Sequence, residues 1–364
     1  MKERRFSFEN NSLDAIRLFA AIQIAATHYL NLQLLHFPAG GWQDGLLLSV
    51  KRALTLFPGL ILLFSISGFL MGASMERSKG RLEFLKKRVL RIYPGLWAAI
   101  LAMAALAVLF VRPGGEELRS LGIWMVVQGL GLAYTPGFLQ DFGTGSMNGT
   151  LWTIMVEMQL YLLLVLFWKR IGRMKKAGWG CLLALALAAN LACGWAEREG
   201  RIPAGALSLL SRTFLPYAVW FAAGLCLYRF RETALPALER GWVPLLALYA
   251  LYKGSWQAFG WNVPGYYADF VTSLALPCLA IVLAYAWGKH RFRQDLSYGI
   301  FLYHWPLINL IFAWRLPERW DHIPLFLGYA AAFLLLGGAS WFLVERPAFE
   351  RAKALPALRN GGKK

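Results

Sequence analysis

Arg17 and His28 stand eleven residues apart inside the first long apolar stretch, residues 13–35, whose formal charges are Asp14 and Arg17. Eleven residues are close to three helical turns, so both side chains leave nearly the same face, about 16 Å apart along the axis. A guanidinium holds anions as a planar fork, and an imidazole can take up or release a proton near neutral pH. Burying either group in lipid is costly, which marks each as a functional-site candidate. The bland alternative is an arginine that snorkels to the headgroups and a histidine bonded inside a bundle. The shared face favours chemistry.

Glu157 lies in a second apolar stretch, 149–168, with Tyr161 one turn beyond it. Counted from the outer ends of their stretches, His28 and Glu157 fall at similar depth, about seven and about eight residues in. A carboxylate at that depth needs a partner, and a histidine is a good one. His28 could then take a hydroxyl proton while Glu157 fixes its tautomer and steadies the imidazolium; the plainer reading is a structural ion pair. Asp14, one turn before Arg17, could orient the guanidinium, and Tyr161 could position Glu157. Arg88 and Arg91 are three apart on one helix and could grip a single anion, or simply anchor the chain at the cytoplasmic surface. His304 is mid-stretch and reads first as a packing histidine. His36, His290 and His322 fall in loops or at stretch ends, with nothing to support a role. No zinc-type cluster and no Gly-x-Ser-x-Gly elbow is present, so no metal is expected. Ser65 and Ser67 flank Gly68, where small residues permit close helix packing.

These residues need a scaffold that places them in lipid. The chain has 364 residues, of which 58% are hydrophobic and 16% charged, against a usual charged share of about a quarter. Residues 53–75, 92–111, 177–196, 270–288 and 323–344 contain no Asp, Glu, Lys or Arg. Such runs are long enough to cross a bilayer. The net charge of +18 would fit a nucleic-acid partner, but most Lys and Arg cluster between the apolar runs, at 1–12, 77–91, 169–176, 229–240, 289–293 and 346–364. That is the positive-inside pattern. Placing all six clusters on the cytoplasmic side requires ten crossings, near 13–35, 53–75, 91–112, 149–168, 177–196, 208–228, 241–253, 268–288, 296–314 and 323–344, with both termini cytoplasmic. The fold class is therefore all-α integral membrane. Residues 120–140 are uncharged but rich in Gly and contain Pro136, and read as a re-entrant or interfacial element. Cys181, Cys193, Cys226 and Cys278 lack metal or redox spacing and read as packing residues. No cleavable signal peptide is evident. The domain division is a transmembrane body, 1–345, and a basic cytoplasmic tail, 346–364.

Five motifs follow in order: Leu13-Asp14-Ala15-Ile16-Arg17 with His28; Phe64-Ser65-Ile66-Ser67-Gly68-Phe69; Arg88-Val89-Leu90-Arg91-Ile92-Tyr93-Pro94; Leu151-Trp152-Thr153 leading to Glu157 and Tyr161; and Ser297-Tyr298 to His304-Trp305-Pro306, closed by Glu345-Arg346-Pro347. Together they resemble the acyltransferase 3 family of bacterial membrane acyltransferases, over essentially the whole chain. Thr153 and Leu160 depart from the usual Ser and Phe of the fourth motif, which bears on acceptor shape. The resemblance implies O-acyl transfer, usually acetyl, from cytoplasmic acyl-CoA to a hydroxyl of an envelope or exported glycan such as an O-antigen or exopolysaccharide. It places the chain in the bacterial inner membrane, as the form without a fused esterase-like domain. Implied roles are His28 and Glu157 as catalytic, Arg17, Arg88 and Arg91 as acyl-CoA-binding, and Asp14, Trp152, Tyr161 and His304 as orienting or acceptor-side residues. The partners are acyl-CoA, the glycan or lipid-linked glycan acceptor and membrane lipids, without nucleic acid. Competing readings are the same chemistry on a small non-glycan acceptor or with a longer acyl donor, and, from another class, a transporter or flippase. Transporters often show internal repeats, and none is visible here.

Overall fold

A computed structural model describes residues 11–38, 40–132, 134–261, 267–286 and 294–354. The basic residues at 1–10 and 289–293, and the tail from 355 onward, lie outside them. Among the described residues every regular element is helical. In chain order these are α1 (Leu13–His36), α2 (Gly41–Thr55), α3 (Gly59–Arg77), α4 (Arg81–Leu106), α5 (Gly115–Gly129), α6 (Trp152–Arg173), α7 (Lys176–Arg198), α8 (Ala204–Leu210), α9 (Ala218–Arg229), α10 (Arg231–Ala258), α11 (Phe270–Ala286), α12 (Ser297–Ala313), α13 (His322–Ser340) and α14 (Arg346–Ala354). π-Helical turns extend α4 over Ala107–Val111 and α13 over Trp341–Glu345.

Among the described residues five stretches are long and apolar enough to cross a membrane: Leu13–His36, Gly41–Arg77, Arg81–Val111, Lys176–Arg198 and His322–Arg351. Each of the ten expected crossings overlaps a helix, but the others are shorter or more polar. α9 has 12 residues and α11 and α12 have 17 each. α6 carries Glu157, and α10 carries Lys253 and two internal prolines. The stretch expected over 208–228 is broken between α8 and α9, where Pro216 supplies no backbone donor. Side chains satisfy the opened backbone there: Gln159 Nε2 donates to the Arg212 carbonyl (3.0 Å), its Oε1 accepts from Phe214 N–H (2.9 Å), and Asn190 Nδ2 donates to the Pro216 carbonyl (2.6 Å). Non-helical backbone is tolerated in an apolar setting only on such terms. Over 120–140 the helix stops at Gly129, and Gly131 takes a positive φ. Fifteen residues rise about 22 Å, short of a full crossing.

The helices form two compact units, one of Met1–Arg81 with Trp152–Ser297 and one of Leu82–Leu151 with Tyr298–Lys364. In the first, α1 starts where Asn11 Oδ1 accepts Leu13 N–H, and Ser12 N–H donates to the Ala284 carbonyl of α11. Its core joins Leu13 to Ile66 and Phe69 of α3, Leu227 of α9 and Ile281 of α11. α3 and α9 meet backbone to backbone. A Cβ at Gly68 would sit 2.0 Å from the Phe221 carbonyl oxygen, and one at Gly224 would sit 1.9 Å from that of Ser65. In the second unit, α12 packs on α4 through Tyr298, whose hydroxyl donates to the Ile92 carbonyl, and on α13 where Gly299 meets Gly337. The segment 143–150 is tied to α12 by Asn309. Its Oδ1 accepts from the N–H and hydroxyl of Thr144, and its amide donates to the Ser146 and Met147 carbonyls.

The α3–α9 contact yields a prediction. Gly68→Ala or Gly224→Ala drives a methyl into backbone, which cannot rotate away, so the folded protein should fail to accumulate. Gly122→Ala, where nothing lies within 4 Å of the added carbon, should accumulate normally. Membrane levels and melting temperature in detergent check it; normal folding of Gly68→Ala would contradict the close contact.

Candidate functional site

Arg17 and His28 share one uninterrupted helix, α1, as their spacing requires. The guanidinium has acidic company. Arg17 Nη1 is 3.0 Å from Asp295 Oδ2 and 3.9 Å from Asp14 Oδ1. Asp295 precedes α12, and Ser297 donates its hydroxyl proton to Asp295 Oδ1 at 2.5 Å. Both acids meet the same nitrogen. Asp14 thus takes its expected place one turn before Arg17, while Asp295 is a partner that sequence reading missed. It lies 278 positions along the chain from Arg17, and nothing local joins them. His28 is half-buried, eleven residues further along α1.

Glu157 is gripped on one side. Its Oε1 accepts from the hydroxyl of Ser67 on α3 at 2.8 Å and from the hydroxyl of Tyr161, one turn along α6. The two hydroxyl oxygens are 3.1 Å apart. Tyr161 does what its i+4 spacing allowed. Ser67 was read only as a small packing residue, yet it is the cross-helix donor. Gly68 beside it performs the packing role, because its contact with α9 fixes α3 at the height from which Ser67 reaches Glu157.

Trp152, at the start of α6, packs against Tyr217, with ring centroids 5.2 Å apart. Tyr217 in turn meets Phe64 of α3 and Trp220 of α9, building an aromatic wall at the α8–α9 break. Gln159, two residues beyond Glu157, holds that break in place. α6 therefore presents Trp152, Glu157, Gln159 and Tyr161 to neighbours within one unit.

Arg88, Arg91 and His304 belong to the other unit. Arg88 sits over the ring of Phe84, one turn earlier on α4. Arg91 Nη1 donates to Glu345 Oε2 at 3.0 Å, between the faces of Tyr298 and Trp341 at 5.7 and 5.8 Å. Glu345 is buried, and its second oxygen accepts from Ser340 at 2.9 Å. The π turn Trp341–Glu345 aims this carboxylate. His304 is fully buried, with Nδ1 3.1 Å from the Ile300 carbonyl.

Known proteins agree with the motifs. A family model described as "Acyltransferase domain" matches residues 10–344. "Nodulation protein 10" of Rhizobium leguminosarum bv. viciae is 30% identical over 384 residues, covering 97% of this chain and 97% of that protein. An "O-acetyl transferase" of Shigella phage Sf6 is 23% identical over 341 residues, covering 93% and 96%. No solved structure matches. The chain belongs to this acyltransferase family and is an acyltransferase of groups other than aminoacyl groups.

The Arg91–Glu345 pair yields an asymmetric prediction. Removing the arginine takes the countercharge from a buried carboxylate, whereas removing the carboxylate leaves a cation that is already one-fifth exposed. Arg91→Met should cost about 2–4 kcal/mol, discounted from fully buried pairs because Arg91 is partly solvated, and Glu345→Gln should cost less. Thermal unfolding in detergent measures both. An equal or reversed order would contradict the assignment of Glu345 as the buried partner.

Proposed function

We propose that this membrane O-acyltransferase moves an acetyl group from cytoplasmic acetyl-CoA to a hydroxyl of an envelope or exported glycan in the bacterial inner membrane. The observation that carries the reading is α1 itself: one unbroken helix presents a guanidinium near its N-terminus and, about 16 Å along nearly the same face, a half-buried imidazole. Coenzyme A separates its phosphates from its thioester by an arm of comparable length. Similarity to a protein named O-acetyl transferase supports an acetyl group and an oxygen acceptor.

In this reading Arg17 holds donor phosphate, and Arg91 pairs with the buried Glu345. The acceptor hydroxyl attacks the thioester carbonyl and gives its proton to His28. The C–O bond forms, the C–S bond breaks, and the thiolate leaves as coenzyme A, taking from His28 the proton that the imidazole received. Glu157, held by Ser67 and Tyr161, supplies the negative charge that steadies the imidazolium. Trp152 and its aromatic neighbours offer a face on which a sugar ring can stack. Ten crossings with both termini cytoplasmic deliver the donor to one side and the acceptor to the other.

Transfer is measured as radiolabel from acetyl-CoA entering alkali-labile ester in membranes of cells that make the protein. His28→Ala should abolish it while the protein still accumulates; wild-type ester formation would refute the role. Arg17→Ala should raise the KM for acetyl-CoA, and Arg17→Lys should restore it only in part, since a point charge replaces a fork. An unchanged KM in both would remove Arg17 from the donor site. A cysteine placed by Arg173→Cys should react with a membrane-impermeant thiol reagent from the cytoplasmic side only. Labelling from outside would mean an odd number of crossings before it.

A further inference from the structure

The geometry assigns Ser67 as a positioning residue for Glu157: its hydroxyl fixes one carboxylate oxygen and so aims the other. The inference rests on the reading of Glu157 as part of the acyl-transfer site, and it gives a role to a serine that the sequence offered only as a small packing residue.

Two serines on α3 make the contrast. Ser65 bonds back to its own helix, donating to the Ile61 carbonyl at 2.6 Å, as helical serines commonly do. Ser67, two residues on, forgoes that local bond and donates across to Glu157 Oε1 at 2.8 Å. The hydroxyl of Tyr161 converges on the same oxygen. Each hydroxyl has one proton to give, and both lie within reach of Oε1 and 3.1 Å from each other.

Tyr161 alone would leave the carboxylate free to swing, because both groups ride on α6 and donor and acceptor would move together. Ser67 comes from a different helix. Its position is set by the backbone contact at Gly68, where no side chain can yield. Two donors from two helices, meeting on Oε1, fix the carboxylate plane and direct the edge bearing Oε2 away from them. A charged hydrogen-bond acceptor held in this way needs no reorganisation as a proton moves nearby.

The test uses the full-length protein in membranes, with acetyl-CoA as probe and alkali-labile ester as product, normalised to the amount of protein. Ser67→Ala should lower kcat about 10- to 100-fold, the worth of one hydrogen bond to a charged group, with the KM for acetyl-CoA and the melting temperature unchanged. Ser67→Thr keeps the hydroxyl and should restore most of kcat. In a Glu157→Gln background, Ser67→Ala should add little, because residues that act as a unit are not additive. Wild-type kcat in Ser67→Ala, no rescue by Ser67→Thr in folded protein, or effects that simply multiply would each overturn the assignment. So would recovery of the acetyl group covalently bound to Ser67, which would make it a nucleophile. Failure of the underlying reading is distinguishable: Glu157→Gln itself would then turn over normally.

Discussion

A carboxylate in an apolar helix is tolerated only where donors meet it, and the Ser67–Glu157 hydrogen bond is the contact on which the candidate site depends. That bond needs α3 at one height relative to α6. The height is set one residue later, where Gly68 lets the Phe221 carbonyl of α9 approach closer than any side chain would allow. Packing and chemistry are therefore parts of one arrangement. α9 locates α3, α3 presents Ser67, and Ser67 with Tyr161 orients Glu157. On the other side of Glu157, Gln159 ties α6 to the broken backbone between α8 and α9, so the same short stretch of α6 is held from two directions.

The break itself shows how an apolar fold makes room for function. A continuous helix through 208–228 would have hidden its backbone from every neighbour. Opening it releases carbonyl and amide groups that Gln159 and Asn190 then satisfy. It also brings Tyr217 against Trp152. Hydrogen bonds from side chains substitute for those of the helix, and the chain gains an aromatic wall at the break.

Much of this was legible in the sequence where the signal is local. α1 starts at Leu13, as the apolar run from 13 indicated, and Arg17 and His28 fall on it without interruption. The small residues around Gly68 pointed correctly to close helix packing, and the i, i+4 spacing of Glu157 and Tyr161 pointed to their contact. What stayed hidden joins distant parts of the chain. Ser67 and Glu157 are 90 positions apart, and Arg91 and Glu345 are 254 apart. No periodicity encodes such a meeting. Ser67 was further masked by its neighbour, because a serine beside a packing glycine looks like a second small residue. The meeting of Arg91 with the buried Glu345 left no local trace beside Arg88, three residues earlier on the same helix.

The N-terminal end of α1 poses the converse problem to Glu157. There a cation is surrounded by acids. Arg17 carries one positive charge, while Asp14 and Asp295 carry two negative charges, so the group as a whole does not attract a phosphate at long range. Both acids meet Nη1, which leaves the remaining face of the guanidinium fork as the side from which an anion can be bonded. Asp295 sits at the entrance to α12 under the hydroxyl of Ser297, so it cannot be displaced without breaking that contact. If coenzyme A binds at this end as proposed, the charge that draws it must come from the basic clusters of the chain, with its net +18, rather than from Arg17. On that proposal Arg17 has the short-range task for which its geometry is suited: it fixes where along α1 the phosphate stands, and hence how far the thioester reaches toward His28.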